Sequence, residues 1–338
     1  MPKIGQNLQL IEIYNPKSRK QKLPKCDWSF LHTTARNFVR IVDSLHKKDY
    51  VIGDIKPQNI LVDDAAQVSI VDTDSFQVRD KAKVYRCHVA TEGFTPPELL
   101  GVNTSKIAQT IYHDRYRIAL IIYHLLFTRH PFDQGTWISG DEPSQVDKMK
   151  QGTWLYNSQG LLQSHKVTIP LQIIHPKLQE LFKFKKCFND GHNDAIQRPS
   201  AEEWSAALKL ALDDLISCEN LTAHGKINTH KYSATYGKCY WCERRYILKV
   251  DIFGPDPLPD EFIEPDPFEP DLFEFNSFEL ELKPDDTPTP PIQPKPPTAK
   301  QTIGGLLVLA GLFCFFATPS GWVAGIILGI IGFSCFSD

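Results

Sequence analysis

The sequence of 338 residues is informative first through what it lacks. Its 37 Lys and Arg residues do not exceed its 40 Asp and Glu residues, so we expect no nucleic-acid partner, because proteins that bind nucleic acids carry a basic excess. No secretory signal is expected, since Met1 leads straight into a mixed polar segment. The eight cysteines lack the regular spacing of a disulfide framework, and three lie between residues 218 and 242. This distribution indicates a reducing compartment and one metal site.

Charge is absent from residues 303–336. The run is broken near Pro319, and each apolar half is shorter than the ~20 residues that span a bilayer. We therefore predict a transmembrane helical hairpin over residues 301–338, with both ends on one side of the membrane. Lys295 and Lys300 precede it. Because positive flanks stay in the cytoplasm, the expected location is a bacterial inner membrane with the globular part in the cytoplasm.

A second unusual segment, residues 251–300, is rich in Pro, Asp, Glu and Phe. Such a composition buries too little apolar surface to offset the entropy of ordering the chain, which predicts a disordered acidic linker. Its spaced phenylalanines, as in FEPDLF from Phe268, allow two interpretations. They form a docking tract for a protein partner, or they are incidental aromatic residues in a spacer. We favour the spacer.

The remaining part, before residue 250, has the composition of a globular protein. Residues 8–13 alternate in polarity and predict a strand, while residues 60–62 and 68–71 flank a turn and predict a β-hairpin. Asp27 offers a helix start ahead of apolar residues that recur at helical spacing to about His46. Further helices are expected at 119–127, 178–187 and 201–216. After residue 78 the pattern is mostly helical, so the predicted fold class is mainly α (α+β).

Four polar residues have the spacing that metal-assisted phosphoryl transfer requires. Asp54, Lys56 and Asn59 share one D-x-K-x-x-N loop, and the hairpin that follows brings Asp72 back beside Asn59. Magnesium takes hard oxygen ligands and keeps several waters, so one carboxylate and one amide oxygen suffice. A lysine offsets charge on the transferred phosphoryl group, and a second carboxylate orients the attacking hydroxyl. A magnesium-bound phosphate compound is therefore the expected ligand.

This loop resembles the catalytic loop of the eukaryotic-like (Hanks-type) serine/threonine protein kinases, and the resemblance extends through their large lobe to about residue 215. It implies that Asp54 is the catalytic base, that Lys56 contacts phosphate, and that Asn59 and Asp72 bind magnesium. A protein substrate is implied as well.

Three further residues match the family in the family's order. Glu98, in Thr95-Pro96-Pro97-Glu98, is similar to the glutamate of the A-P-E motif that closes the activation segment. The resemblance implies that Arg198 pairs with Glu98 and that Asp114 braces the catalytic loop through backbone contacts. These three residues are expected to hold the fold and to do no chemistry.

Two departures from the family pattern are informative. Ile52-Gly53-Asp54 stands in place of H-R-D, which removes the arginine that pairs with a phosphorylated activation segment, so control by such phosphorylation is not expected. Asp74 stands in place of the glycine of D-F-G, and an Asp can adopt the left-handed conformation occasionally. The D-x-D-S-F-Q pattern resembles a bacterial and archaeal branch of kinase-like proteins that carry a zinc ribbon after the lobe.

The sequence also contains no G-x-G-x-x-G loop, which the family places in its small lobe. Met1-Pro2-Lys3-Ile4 resembles the hinge between lobes, so a large lobe without its small lobe is expected. A miscalled start, a true fragment that acts as a scaffold, and a second protein that supplies the lobe are three explanations. We favour a truncated form of an active-type kinase.

The predicted metal site is a zinc ribbon. Cys239 and Cys242 form a C-x-x-C pair, and Cys218 lies upstream. Zinc takes four tetrahedral N or S ligands in a structural site, and either His230 or His224 can be the fourth. We prefer His230, because its H-x-Y setting resembles that of kinase-linked ribbons. Free thiols and a redox pair are the alternatives, and the redox interpretation lacks a supporting βαβ pattern.

The expected function is that of a membrane-tethered serine/threonine protein kinase-like protein, which moves the γ-phosphoryl group of ATP to protein hydroxyls but is not competent alone. The alternative is a membrane-anchored pseudokinase scaffold that binds protein partners. The predicted organisation is a kinase-like large lobe at 1–215, a zinc ribbon at 216–250, the linker at 251–300 and the hairpin at 301–338.

Overall fold

The computed structural model describes residues 7–157, 159–182, 187–220 and 229–253. The transmembrane hairpin expected at 301–338 and nearly all of the linker expected at 251–300 lie outside these residues. Within the described ranges, no helix is both long enough and apolar enough to cross a bilayer.

The described residues form helices and short strands. The helices are Leu10–Tyr14 (α1), Pro16–Lys22 (α2), Trp28–His46 (α3), Ile111–Phe127 (α4), Gln145–Gln151 (α5), Pro176–Phe182 (α6), Asp190–Asn193 (α7), Ala201–Asp213 (α8) and Tyr240–Leu248 (α9). The strands are Leu8–Gln9 (β1), Ile60–Val62 (β2), Val68–Ile70 (β3), Val78–Asp80 (β4), Lys83–Tyr85 (β5), Thr136–Trp137 (β6), Leu162–Gln163 (β7), Leu215–Ser217 (β8) and Lys231–Ser233 (β9).

The strands pair antiparallel throughout. The largest sheet has the order β1-β2-β3, with Leu8 opposite Val62 and Ile60 opposite Ile70. The pairs β4–β5, β6–β7 and β8–β9 are separate two-stranded sheets. The hairpin expected at 60–71 is therefore confirmed. The chain after residue 78 contains more strand than the sequence pattern predicted.

The strand predicted at 8–13 is wrong beyond Gln9. The chain turns there into α1, where the Glu12 carboxylate accepts a hydrogen bond from the Gln9 N–H at 2.9 Å and caps the helix. Leu10, Ile13 and Tyr14 are all buried. Ile13 and Tyr14 follow Leu10 by three and four residues, which is the helical period. Burial of these three side chains on one face of a helix outweighs the alternation of polarity that suggested a strand.

Local signals define the two long helices of the lobe. The Asp27 side chain accepts a hydrogen bond from the Phe30 N–H at 2.8 Å and starts α3 as predicted, because this acceptor satisfies one of the free N–H groups of the first turn. Helix α4 is buried almost all round and includes the helix predicted at 119–127, but it begins earlier, at Ile111. It packs against α3 and forms the centre of the core.

Two predicted helices compare differently with the structure. Of the helix predicted at 178–187, the structure describes Pro176–Phe182 as helical, and residues 183–186 lie outside the described residues. The helix predicted at 201–216 ends early, at Asp213. The second ends because Leu215–Ser217 leaves the helix and pairs with β9 instead. A capping box between Ser200 and Glu203 starts this helix.

The C-terminal described residues pack on the N-terminal part of the lobe. The rings of Trp28 and Trp241 meet edge to face at 5.1 Å. The buried Arg19 guanidinium donates to the Ile13 carbonyl at 2.9 Å, the Tyr14 carbonyl at 3.3 Å and the Ile252 carbonyl at 3.0 Å. Burial lowers the pKa of Arg19 to about 10, so it remains charged at neutral pH. One side chain thus joins the first helices to the last described turn.

Candidate functional site

Asp54 lies at the centre of the predicted catalytic loop and is only 2% exposed. The Thr91 hydroxyl donates to Asp54 Oδ1 at 2.7 Å, and Lys56 Nζ lies 3.0 Å from Asp54 Oδ2. Contacts that involve a charged group are shorter and stronger than neutral ones. A hydroxyl on one oxygen and an ammonium group by the other therefore fix the orientation of this carboxylate.

Asn59 and Asp72 meet beside this loop, as the spacing predicted. Asn59 ends a short turn at Pro57–Asn59, and the β2–β3 hairpin returns the chain so that the Val71 N–H donates to the Asn59 carbonyl at 2.9 Å. The Asn59 side-chain amide lies 3.3 Å from Asp72 Oδ2 and 3.3 Å from the Asp54 carbonyl. All four predicted site residues thus belong to one cluster.

The donor set of this pair fits magnesium. A half-turn of the Asn59 amide exchanges its nitrogen and oxygen, which are assigned from the hydrogen-bond network, and it would present an oxygen beside the Asp72 carboxylate. Asp72 is exposed and Asn59 is half-buried. Magnesium keeps several of its waters when it binds one or two carboxylates and phosphate oxygens, and this exposure leaves room for them.

The left-handed residue of this region is Asp72 rather than Asp74. Asp72 has φ of +62° and ψ of +45°, whereas Asp74 lies inside the short turn at Thr73–Ser75. The Ser75 hydroxyl donates to the Asp72 carbonyl at 2.8 Å and stabilises this turn. The chain therefore makes its unusual bend at Asp72, the carboxylate predicted to bind magnesium, and needs no glycine at position 74.

A buried carboxylate braces the catalytic loop from behind, as the family resemblance implied. Asp114, in the first turn of α4, accepts hydrogen bonds from the Ile52 N–H at 2.7 Å and the Gly53 N–H at 2.9 Å. His46 Nε2 lies 3.1 Å away and Arg117 Nη1 lies 3.4 Å away. Burial raises the pKa of Asp114, but these partners outweigh burial and lower it overall. The loop is therefore held by an ionised group inside the core.

The predicted pair of Glu98 and Arg198 is present. Two guanidinium nitrogens of Arg198 donate to the two oxygens of Glu98 at 2.7 and 2.8 Å, which is the bidentate geometry. Arg198 also donates to the Gly191 carbonyl at 2.6 Å and the Tyr112 carbonyl at 3.0 Å. This pair ties the end of the activation segment to the region before α8.

The four predicted zinc ligands converge in a second, separate cluster. The ligand atoms of Cys218, His230, Cys239 and Cys242 all lie within 4.8 Å of one another. Cys218 Sγ and Cys242 Sγ are 3.5 Å apart, and His230 Nδ1 is 3.6 Å from Cys239 Sγ and 3.4 Å from Cys242 Sγ. A tetrahedron with the usual zinc–sulfur and zinc–nitrogen lengths has edges of about 3.5–3.8 Å. The donor set and its spacing fit zinc, and the competing candidate His224 lies outside the described residues.

Asp251 faces the other nitrogen of the predicted histidine ligand. Its carboxylate oxygens lie 3.0 and 3.1 Å from His230 Nε2, and one of them accepts from the Phe253 N–H at 2.9 Å. Burial lowers the pKa of His230, but the hydrogen bond and charge of Asp251 raise it overall. A carboxylate on one nitrogen directs the other nitrogen, here Nδ1, toward the three sulfur atoms.

Sequence reasoning missed Thr91 and Asp251, which contact the two clusters, and His46, which contacts the bracing Asp114. Each bonds to a partner that is distant in sequence, so no local spacing marked it. Thr91 precedes Glu98 within the activation segment, and this setting was the only signal available for it.

Comparison with known proteins agrees with this geometry. A family model described as the protein kinase domain matches residues 8–207. The chain is similar to two proteins named protein kinase YegI, from Escherichia coli O157:H7 and from Escherichia coli strain K12. Each is 30% identical over 247 residues, which cover 72% of this chain and 37% of the relative. Citron Rho-interacting kinase of Mus musculus is 28% identical over 138 residues, which cover 38% of this chain and 7% of that protein.

The matched regions differ in how much of each protein they cover. The chain spans little more than a third of the length of the bacterial relatives. The kinase-domain match, in contrast, covers more than half of the 338 residues and includes Asp54, Asn59, Asp72 and Asp114. The chain belongs to the protein kinase domain family.

Proposed function

We propose that this chain carries the catalytic loop of a serine/threonine protein kinase, which transfers the γ-phosphoryl group of Mg-ATP to a hydroxyl of a protein substrate. The observation that carries the proposal is the environment of Asp54. Its carboxylate is buried and oriented by Thr91 and Lys56, while the metal-binding pair Asn59 and Asp72 lies in the same cluster.

Each side chain has a role that follows from its place. Asp54 would orient the attacking hydroxyl and take its proton, since a carboxylate in this position accepts the substrate proton in kinases. Lys56 would offset negative charge as the phosphoryl group moves. Asn59 and Asp72 would hold magnesium, which supplies charge neutralisation at the phosphate oxygens when it is bound. Asp114 keeps the loop in place and touches no reacting atom.

We further propose that this polypeptide by itself binds Mg-ATP weakly. Asn59 and Asp72 are present, but the 338 residues contain no G-x-G-x-x-G loop to cover the phosphates. Titration calorimetry of the full chain with Mg-ATP checks this expectation. A dissociation constant in the micromolar range would contradict it, without touching the role assigned to Asp54.

The decisive experiment measures phosphoryl transfer. The tagged chain is isolated from its native host together with any polypeptide that accompanies it, and it is incubated with Mg²⁺, labelled ATP and a general substrate such as casein. Asp54→Asn should reduce transfer by about 10²- to 10⁴-fold, because the proton acceptor is lost. Asp64→Asn is the matched control, since Asp64 is an exposed carboxylate of the neighbouring hairpin, and it should transfer at the wild-type rate.

The alternative outcomes separate clearly. Equal transfer by Asp54→Asn and wild type, with equal melting temperatures, would remove Asp54 from its assigned role. A reduced melting temperature in Asp54→Asn would instead indicate that the change disturbs the loop. In that case Lys56→Ala, at a half-buried position, tests the same chemistry with less risk to the fold.

We also propose that Cys218, His230, Cys239 and Cys242 bind one structural zinc ion. Four N and S donors with no open position are typical of structural rather than catalytic zinc. The support is the convergence of the four ligand atoms within 4.8 Å and the carboxylate of Asp251 behind the histidine.

A membrane anchor over residues 301–338 is proposed from the sequence alone. Its support is the absence of charge from residues 303–336, and the globular part would lie in the cytoplasm of a bacterial cell. Carbonate extraction of membranes should leave the full chain in the pellet and release a variant that lacks residues 301–338. Release of the full chain would overturn the proposal. An active alkaline phosphatase fusion after Asp338 would show a single crossing instead of a hairpin.

A further inference from the structure

The chain has no arginine before Asp54 with which to hold its activation segment. Gly53 stands before Asp54, where the resembled family has an arginine that pairs with a phosphorylated segment. Gly53 has φ of +78°, and a Cβ on it would lie 2.7 Å from both Cβ and Sγ of Cys87. Any side chain at position 53 would therefore be strained and would collide with the segment itself. Other contacts therefore hold residues 78–108, which we name the tethered segment. The Glu98–Arg198 pair holds its later part, and a different contact joins its two ends.

Gln77 directly precedes the tethered segment, and each of its backbone and side-chain polar groups makes a hydrogen bond. Its backbone N–H donates to the Val51 carbonyl at 2.8 Å, and its carbonyl accepts from the Val51 N–H at 3.2 Å. Its side-chain nitrogen donates to the Gln109 carbonyl at 2.7 Å, and its side-chain oxygen accepts from the Gln109 N–H at 2.7 Å. The last two bonds form a closed pair between one amide side chain and one backbone unit.

The two partners of Gln77 lie next to the catalytic loop on either side. Val51 directly precedes the Ile52 and Gly53 N–H groups that Asp114 holds. Gln109 lies just before α4, the helix that carries Asp114. Gln77 therefore joins the start of the tethered segment, its end and the entry to the catalytic loop at one point. Gln77 is 6% exposed and Gln109 is 3% exposed, so water does not compete for these bonds.

We propose that Gln77 is the positioning residue that holds the tethered segment, and with it Thr91 beside Asp54, in a chain that carries no phosphoryl group. The role of Thr91 rests on the proposed kinase function, but the tether itself does not. An amide side chain is suited to this task because it donates and accepts at once and carries no charge that burial would penalise.

Gln109 provides a matched control because it is as buried as Gln77 but contributes only backbone atoms to the tether. Both polar atoms of its own side chain are buried and have no hydrogen-bond partner among the described residues. Gln109→Ala removes these atoms and leaves the tether intact. Gln77→Met keeps the length of the side chain and removes both tether bonds. If Gln77 mattered only because it fills buried volume, Gln77→Met and Gln109→Ala would show the same hydrogen exchange in the tethered segment.

The test is hydrogen exchange measured by mass spectrometry on the full chain, with the intact mass used to show that no phosphate is attached. Wild type and Gln109→Ala should show equal protection across residues 78–108. Gln77→Met should exchange there about 10- to 100-fold faster, because two buried hydrogen bonds are lost, with protection in α3 and α8 unchanged. Gln77→Glu, which can accept from the Gln109 N–H but cannot donate to its carbonyl when ionised, should also exchange faster.

Two results would overturn the proposal. One is a tethered segment that exchanges without protection in unphosphorylated wild type. The other is equal exchange in Gln77→Met and Gln109→Ala. Neither depends on phosphoryl transfer, so failure of the tether and failure of the kinase function are measured separately. If Gln77→Met does not fold, as judged by loss of protection in α3, Gln77→Glu provides the same comparison.

Discussion

Two clusters of side chains, the catalytic cluster (Asp54, Lys56, Asn59 and Asp72) and the metal cluster (Cys218, His230, Cys239 and Cys242), are assembled in different ways. Asp54, Asn59 and Asp72 lie close in sequence, and a turn and a hairpin bring them together. Buried groups from elsewhere then hold them, chiefly Asp114. The four metal-cluster residues are spread over residues 218–242, and their ligand atoms face one another.

The two clusters therefore depend on different groups for their support. The catalytic cluster lies on a prebuilt core, with Asp54 buried and Asp72 exposed. Its exposed side chains can therefore change with little effect on the lobe, while its buried supports cannot. The metal cluster lies among buried apolar side chains such as Trp241 and Phe253, but the proposed metal would be the link that joins all four donor atoms. Its ligands would therefore also be its supports.

The largest effect is expected from removal of a metal ligand. Cys239→Ser should lose the proposed zinc and the order of residues 215–220 and 229–253, since structural zinc contributes about 10–16 kcal/mol to the folding of small metal-binding peptides. Elemental analysis should find one zinc per wild-type chain and none in the variant. The fluorescence of Trp241, which packs on Trp28, should report the loss of order.

Cys26→Ser is the control for this prediction. Cys26 is also a buried free thiol, but it lies outside the cluster, so the variant should keep its zinc. Wild-type protein that holds no zinc after production in zinc-replete medium would contradict the metal cluster.

A smaller effect is expected from removal of the brace. Asp114→Asn should lower the free energy of unfolding by about 3–5 kcal/mol, because it leaves Arg117 buried beside a neutral partner. Urea denaturation measures this change. Asp43→Asn, which breaks an exposed pair with Lys47, should change the free energy of unfolding by less than about 1 kcal/mol. Equal losses in the two variants would show that the brace does not support the lobe.

The smallest effect is expected from acid. Asp114 and Glu98 have lowered pKa values, so the stability they contribute is present above their unfolded pKa values of about 4 and is lost as pH falls through the folded values. The metal cluster should fail earlier, because protons compete with the metal for the ligands. An acid titration should therefore show zinc release, followed by a loss of helical circular dichroism at lower pH. If zinc release and the loss of helical circular dichroism occurred at the same pH, the two clusters would not differ in their sensitivity to acid.

The parts of the molecule that the sequence predicted well are those with local causes. The β2–β3 hairpin and helices α3 and α4 follow from polarity patterns, a cap and a buried apolar run. The catalytic cluster followed from the spacing of four residues across that hairpin. The C-x-x-C pair indicated the metal cluster, and the family resemblance favoured His230, which the structure places beside the three cysteines, while His224 lies outside the described residues.

The parts that the sequence did not predict depend on contacts between distant residues. Thr91 reaches Asp54, Gln77 reaches Gln109, and Asp251 reaches His230. A single Thr, Gln or Asp is compatible with many positions on a surface, and only tertiary packing decides whether it is buried beside a partner. The strand predicted at 8–13 was wrong beyond Gln9 for a related reason. A short stretch with mixed periodicity fits a strand and a helix equally well until tertiary packing decides between them.

The contacts of Arg19 have a consequence for any shortened version of the protein. A recombinant protein that stops at residue 250 would lack the Ile252 carbonyl, one of the three acceptors of the buried guanidinium, and the Phe253 ring, which lies 4.8 Å from the Arg19 charge and 4.8 Å from the Trp241 ring. A cation left short of acceptors in the interior is costly. Truncation at residue 250 would therefore destabilise α1. Because α1 packs against the turn at Pro57–Asn59, the change would also reach the residues beside the catalytic loop.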